Sequence, residues 1–310
     1  MNRFVTPSDR WRLSLLGCCC VLLLIIQPMT AIVIDSATFL RPFLIIAAVA
    51  ATGLIYRGLG RDESVGATCF VLAQMLLFSN CIALLNYLGL ALHRPLHDEF
   101  LARADDMLGL DWWGYVTWLK SNPYIAGATT LAYNSSLFQL VAAILALGFT
   151  RRFERLDRFS LAFMIAATIT VGAWCLFPNL GALPLHYAQG LPEPSFSLAM
   201  TKKDALELMA LVAGAVPPVR FEELTGLIGC PSFHTVLALL TLYAFWPIPW
   251  LGLLAAAVSV PVFLSIPADG GHHFVDMAAG LVVTAVSLGL ASLAPSHRLE
   301  PRIVAQEAFA

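Results

Sequence analysis

The sequence predicts an all-α polytopic membrane protein with about eight transmembrane helices. Of its 310 residues, 59% are apolar and only 12% charged, against roughly 45–50% and about 25% in an ordinary soluble domain. Mean hydropathy is +0.78. The apolar residues gather in runs of about 20, the length of a spanning helix, whereas an outer-membrane barrel would alternate in segments of roughly ten. These properties exclude a soluble globular enzyme and a disordered chain. A formal net charge of −2 and a pI near 6.4 give no signal for nucleic acid.

The first run, 14–34, has no small-x-small cleavage site and reads as a retained helix, not a signal peptide. With the second, 39–56, it makes an N-terminal transmembrane hairpin, residues 1–63. The third span covers 66–88 and leads into an external segment, 91–123. There Trp112, Trp113 and Trp118 are interleaved with Asp98, Asp105, Asp106 and Asp111. Tryptophan favours the headgroup layer, so an interfacial helix is expected at about 96–119, a surface helix without chemistry. Spans four and five, 124–149 and 159–177, flank the basic turn Arg151-Arg152-Phe153-Glu154-Arg155-Leu156-Asp157-Arg158. A second external loop, 178–230, holds a helix-like stretch at 203–215. Spans six and seven, 234–247 and 251–266, are short and parted by Trp246-Pro247-Ile248-Pro249-Trp250, where proline removes helix donors. The eighth is 274–293, and a cytoplasmic tail, 297–310, follows.

Loop charges set the orientation. With the N-terminus inside, 11 of the 18 Lys and Arg residues fall on the inner side, in short loops, and 7 on the outer side. The expected protein is therefore a multi-pass protein of the plasma membrane with both termini cytoplasmic. The seven cysteines show no C-x-x-C spacing and read as buried thiols rather than disulfides or a zinc site.

Six of the seven histidines lie on the outer side. His93, His97 and His186 read as headgroup-layer residues, and His273 as one that packs locally. Two segments carry a pattern. Cys230-Pro231-Ser232-Phe233-His234 enters span six, and Ser265-Ile266-Pro267-Ala268-Asp269-Gly270-Gly271-His272-His273-Phe274-Val275-Asp276 joins span seven to span eight. The topology puts both on one membrane face, where helix packing would bring them together. His272 and Asp276 are i and i+4, expected on one helix face. A carboxylate on one imidazole nitrogen makes the other a better base or nucleophile. His234 is the candidate acid. Ser232 and the N–H groups of a helix N-terminus suit a phosphate. Asp269 reads as a turn residue, and Tyr133-Asn134 as polar residues turned into the bundle.

These motifs resemble those of the type 2 phosphatidic acid phosphatase superfamily, most closely its inositolphosphotransferase-like branch. Pro231, Ser232 and His234 match Pro-Ser-x-His; Ser265, His272 and Asp276 match Ser-Arg-x5-His-x3-Asp. The resemblance implies a six-helix catalytic core, here residues 64–296, and chemistry on a lipid phosphate or phospholipid at the external face. His272 would form a phosphohistidine, Asp276 would orient it and His234 would protonate the leaving oxygen. The product would be a hydrolysed lipid phosphate or a transferred phospho-headgroup, with no cofactor and no metal. Two arginines of the pattern are replaced, by Ile266 and Val212, and the Lys-x6-Arg-Pro motif is absent. Lys202, Lys203 and Arg220 are the substitutes for binding phosphate, with a solvated charge pair as the other reading of the two lysines. The missing cations also leave a second hypothesis: an inactive relative serving as a lipid transporter or assembly partner.

Overall fold

The computed structural model describes residues 4–191, 196–215, 217–224 and 226–294. The predicted tail, 297–310, lies outside them. Twelve α-helices and no strand occur among the described residues. Two form the N-terminal hairpin, α1 (Pro7–Ile26) and α2 (Ser36–Gly58); α3 (Glu63–Gly89) follows. Two short helices, α4 (Asp98–Met107) and α5 (Trp112–Lys120), precede the long pair α6 (Pro123–Phe149) and α7 (Phe153–Leu176). Then come α8 (Ala182–Ala188), α9 (Lys202–Val212), α10 (Phe233–Phe245), α11 (Leu251–Asp269) and α12 (Phe274–Leu293).

Seven of these, α1, α2, α3, α6, α7, α11 and α12, are long and apolar enough to cross a membrane. The sixth expected span, α10, has 13 residues, about 20 Å of helix. It packs against α6, α7, α11 and α12, so the shortest of the expected spans is held among the longer ones.

Local chemistry sets the helix ends. Thr6 and Asp9 form a capping box and Pro7 opens α1. Asp62 caps α3, Asn122 with Pro123 starts α6, and Ser232 caps α10. The first span is displaced from its expected position. Gln27 and Pro28 end it, and residues 32–35 instead run as an extended linker beside Val219. The single interfacial helix expected at 96–119 is two helices. Gly109, at φ +71°, breaks it in a conformation that favours glycine, and Asp111 caps α5 with its carboxylate on Gly114 N.

One end of the bundle is tied by a buried ionic cluster. Arg12 is fully buried. It donates to Asp9 at 2.6 Å, Gln74 at 2.7 Å, Asp157 at 2.8 Å and Ser160 at 3.0 Å. Arg57 of α2 also reaches Asp9. The cluster joins α1 and α2 to α3 and α7. Removing one member of a buried ion set leaves uncompensated charge, costing about 3–5 kcal/mol. Arg12→Met is expected to lower the melting temperature of the detergent-solubilised protein markedly; an unchanged melting curve would deny the cluster this role.

Candidate active site

At the opposite end, the start of α10 and the α11–α12 junction meet. The rings of His234 and His272 lie 6.1 Å apart, centroid to centroid, at 67°. Tyr133 of α6 stacks on His234 at 4.2 Å and 22°, its hydroxyl 3.4 Å from Nδ1. The polar pair in α6 thus does face inward at Tyr133, onto a histidine.

His272 does not share a helix face with Asp276. It stands two residues before α12, because Gly270 and Gly271 end the preceding helix and Gly271 takes φ +63°. The two meet through a cap instead. His273 is the N-cap of α12, and the Asp276 carboxylate turns back onto it, accepting from His273 N at 2.9 Å. The same oxygen lies 3.4 Å from His272 Nδ1, and Asp276 is fully buried. Such contacts are often long without substrate and tighten in the complex. Burial and the neighbouring Asp276 carboxylate push the Cys230 thiol up, so it stays a neutral neighbour of that carboxylate.

Gly270 is there for space. A Cβ on it would stand 2.7 Å from His272 Cδ2, 2.8 Å from the Ile266 carbonyl and 3.1 Å from Tyr133 Cε2. The first two distances are closer than real Cβ atoms come, so any side chain would displace the His272 ring.

The external helices anchor this junction, contrary to their reading as surface elements. Asp105 of α4 caps α12, accepting from Phe274 N at 2.8 Å and Val275 N at 2.9 Å, and lies 3.5 Å from His273 Nδ1. Asp98 accepts from Leu180 N at 2.8 Å and Gly181 N at 2.7 Å, fixing the loop that packs on Gly271. Burial pushes the Asp98 carboxyl up, against the pull of those two N–H groups. Trp112 Nε1 donates to the Pro267 carbonyl at 2.9 Å and Tyr115 Oη to the Leu264 carbonyl at 2.8 Å.

Lys120 closes α5 and was absent from the sequence-derived site. Its Nζ lies 2.7 and 2.8 Å from the Asp269 carboxylate, and both side chains are fully buried. Asp269 also accepts from Thr130 Oγ1 at 2.8 Å and Ala199 N at 3.1 Å. Asp269 is therefore more than a turn residue. It joins α5, α6 and the 199–200 segment three positions before His272.

A cavity of about 800 Å³ opens on the histidines. Tyr133, Asn134, His234, Gly270 and His272 line its base; Leu180, Met200, Leu208, Leu211, Leu227 and Ile228 line its sides. Lys203 and Arg220 reach it, each with an acidic partner: Glu207 at 3.5 Å and Asp35 at 3.4 Å. Lys202 does not line it; its ammonium stands 5.7 Å from the Tyr187 ring centroid. Ser232 and Ser265 are fully buried and do not line it either. Ser232 caps Thr235 N at 3.4 Å, and Ser265 donates to the Val262 carbonyl at 2.6 Å. Ile266, at the position of the motif arginine, is buried in α11. His186 is buried too, stacked on Trp113 at 4.3 Å. No group of three His, Cys, Asp or Glu side chains among the described residues is arranged to hold a metal.

A family model described as the PAP2 superfamily matches residues 99–290, more than half of the chain. The match takes in both histidines, Asp276, Asp105 and Lys120, and leaves α1, α2 and α3 outside. Neither the curated proteins nor the solved structures offer a match.

Proposed function

The chain belongs to the PAP2 superfamily, and from that premise we propose that it cleaves the phosphate ester of a membrane lipid through a phosphohistidine. The observation that carries this reading is the pairing of the His234 and His272 rings at the base of one cavity, with Asp276 behind His272. In the first step the Nε2 lone pair of His272 attacks phosphorus. Its Nδ1–H is held toward Asp276, which stabilises the charge that develops on the ring. The P–O bond to the lipid breaks, and protonated His234 gives its proton to the departing oxygen. In the second step neutral His234 takes a proton from water or from an alcohol, whose oxygen displaces His272 from phosphorus. Water completes hydrolysis of a lipid phosphate; an alcohol completes transfer of a phospho-headgroup, the reaction class of the inositolphosphotransferase-like branch that the motifs resemble.

The apolar sides of the cavity favour a lipid over a soluble ester. The site lies at the end of the bundle opposite Arg151, Arg152, Arg155 and Arg158. Under the positive-inside rule this supports an external active site. The test is release of phosphate, or exchange of headgroup, from short-chain lipid phosphates by the purified protein in detergent. Activity is expected to persist in EDTA, because every group in the scheme is an amino-acid side chain. Loss in EDTA, restored by zinc or magnesium, would move the chemistry to a metal.

One observation favours a second reading, the inactive relative acting as a lipid transporter or assembly partner. Ile266 replaces a charge-stabilising arginine, and loss of one such donor can cost about 10²–10³ in rate. Absence of turnover on every lipid phosphate tried, with lipid binding intact, would select it.

A further inference from the structure

The N-terminal hairpin reaches the cavity. Its α1–α2 linker pairs with the loop that forms one cavity wall: Val219 N donates to the Val33 carbonyl at 2.8 Å, and Asp35 N to the Val219 carbonyl at 2.9 Å. Phe221 N donates to Thr38 Oγ1 at 3.0 Å, and the Phe221 ring meets Phe39 edge-on at 5.6 Å. Between these two anchors stands Arg220, which lines the cavity.

Asp35 occupies the N-cap position of α2, where an aspartate ordinarily accepts from a helix N–H. Its side chain makes no such bond. The carboxylate lies instead 3.4 Å from Arg220 Nε. Holding a guanidinium by Nε leaves its Nη1–Nη2 edge, whose paired donors match two oxygens of a phosphate. Among the described residues Arg220 has no other ionic partner. Lys203, the other cavity cation, has a side chain 82% exposed against 53% for Arg220 and sits beside Glu207 on its own helix, whereas Arg220 is held from a separate element by Asp35, so Arg220 is the better-placed one.

We infer that the α1–α2 linker is part of the anion-binding wall, with Asp35 the positioning residue that presents Arg220 to the phosphate of the bound lipid. This rests on the reading that the cavity takes a phosphate-bearing lipid. It assigns a role in binding to a segment outside the family match, and to a carboxylate that acts through its neighbour rather than on substrate.

The test is a double-mutant cycle on the full-length protein, reading binding of a short-chain, non-hydrolysable lipid phosphonate by titration calorimetry. Asp35→Asn keeps both linker backbone bonds and removes no helix cap. It is expected to weaken binding about threefold to tenfold, Arg220→Gln by about tenfold or more, and the double variant no further than Arg220→Gln alone. Asp35→Glu should recover most of the loss. In turnover, Asp35→Asn should raise KM with kcat nearly unchanged. If the Asp35→Asn effect is as large in the Arg220→Gln background, the side chain acts on the fold and not through Arg220. No effect on binding, or no binding of the phosphonate by wild type, also overturns the assignment. A wild type that binds and couples as described but never turns over would sink the proposed reaction and leave this inference standing.

Discussion

His272→Ala is expected to show no activity above background, because in the proposed scheme that imidazole carries the covalent intermediate. His234→Ala should behave differently. In the same scheme its imidazole protonates the leaving oxygen, so the loss should be severe for a lipid alkoxide and partly rescued by an activated aryl phosphate, whose phenolate leaves unprotonated. General acid catalysis is worth about 10²–10⁴, which sets the size of that loss. Asp276→Asn should fall between wild type and His272→Ala. Asparagine can still accept from His273 N, so the cap survives while the charge behind His272 does not. Rapid quench with labelled substrate should leave acid-labile, base-stable phosphate on the peptide carrying His272. Label on His234, or aryl-phosphate rescue of His272→Ala in its place, would reverse the two roles.

Lys120→Met is the second large effect expected, and it comes from a residue that touches no substrate. The substitution leaves the Asp269 carboxylate fully buried and without its cation. A stranded charge of this kind costs about 3–5 kcal/mol, and the chain relieves it most readily by moving Asp269. Since Gly270 and Gly271 are all that separates Asp269 from His272, the ring moves with it; a displacement near 1 Å can cost about 10²-fold in rate. The double variant Lys120→Met, Asp269→Asn removes both charges and keeps an oxygen for Ala199 N and Thr130 Oγ1. It should regain stability and much of the activity. Comparing kcat and melting temperature across wild type, Lys120→Met, Asp269→Asn and the double variant decides the matter. A Lys120→Met protein within about threefold of wild type in kcat, short of the loss expected from displacement, and equally stable would show that the pair does not position His272.

What the sequence made legible, and what it hid, follows from how far apart the partners are in the chain. The His234 and His272 segments were readable because each is a local pattern at a helix end, and alternation of spans placed both on one face. The last span coincides with α12 because Asp276 and the following small residues mark its start unambiguously. The first span was misplaced because hydropathy cannot separate an apolar helix from an apolar extended linker, and residues 32–35 are the latter. The helical geometry expected for His272 and Asp276 failed because two consecutive glycines stop the helix before the histidine. Asp98, Asp105 and Lys120 were passed over because their partners are backbone N–H groups and a carboxylate from elements far along the chain. One trace was available. Asp98 and Asp105 are two turns apart, on one side of a helix expected to lie on a membrane, where paired acids need a reason.

The brevity of α10 has a consequence for how deep a reacting lipid must sit. His234 opens that helix and stacks on Tyr133, which stands about 15 Å along α6 from Pro123. With 27 residues, α6 is about 40 Å long, some 10 Å more than a hydrocarbon core of about 30 Å. If that excess projects from the outer side, the histidines come to lie a few ångströms beneath the boundary between hydrocarbon and headgroups. A phospholipid would present its phosphorus to them after a descent shorter than its own headgroup, with its acyl chains still among their neighbours. A water-borne phosphate ester would have to make the same descent without chains to carry it. The truncated central helix therefore works as a depth gauge, and lengthening it by a turn would raise His234 by about 5 Å, away from His272 at the junction of α11 and α12.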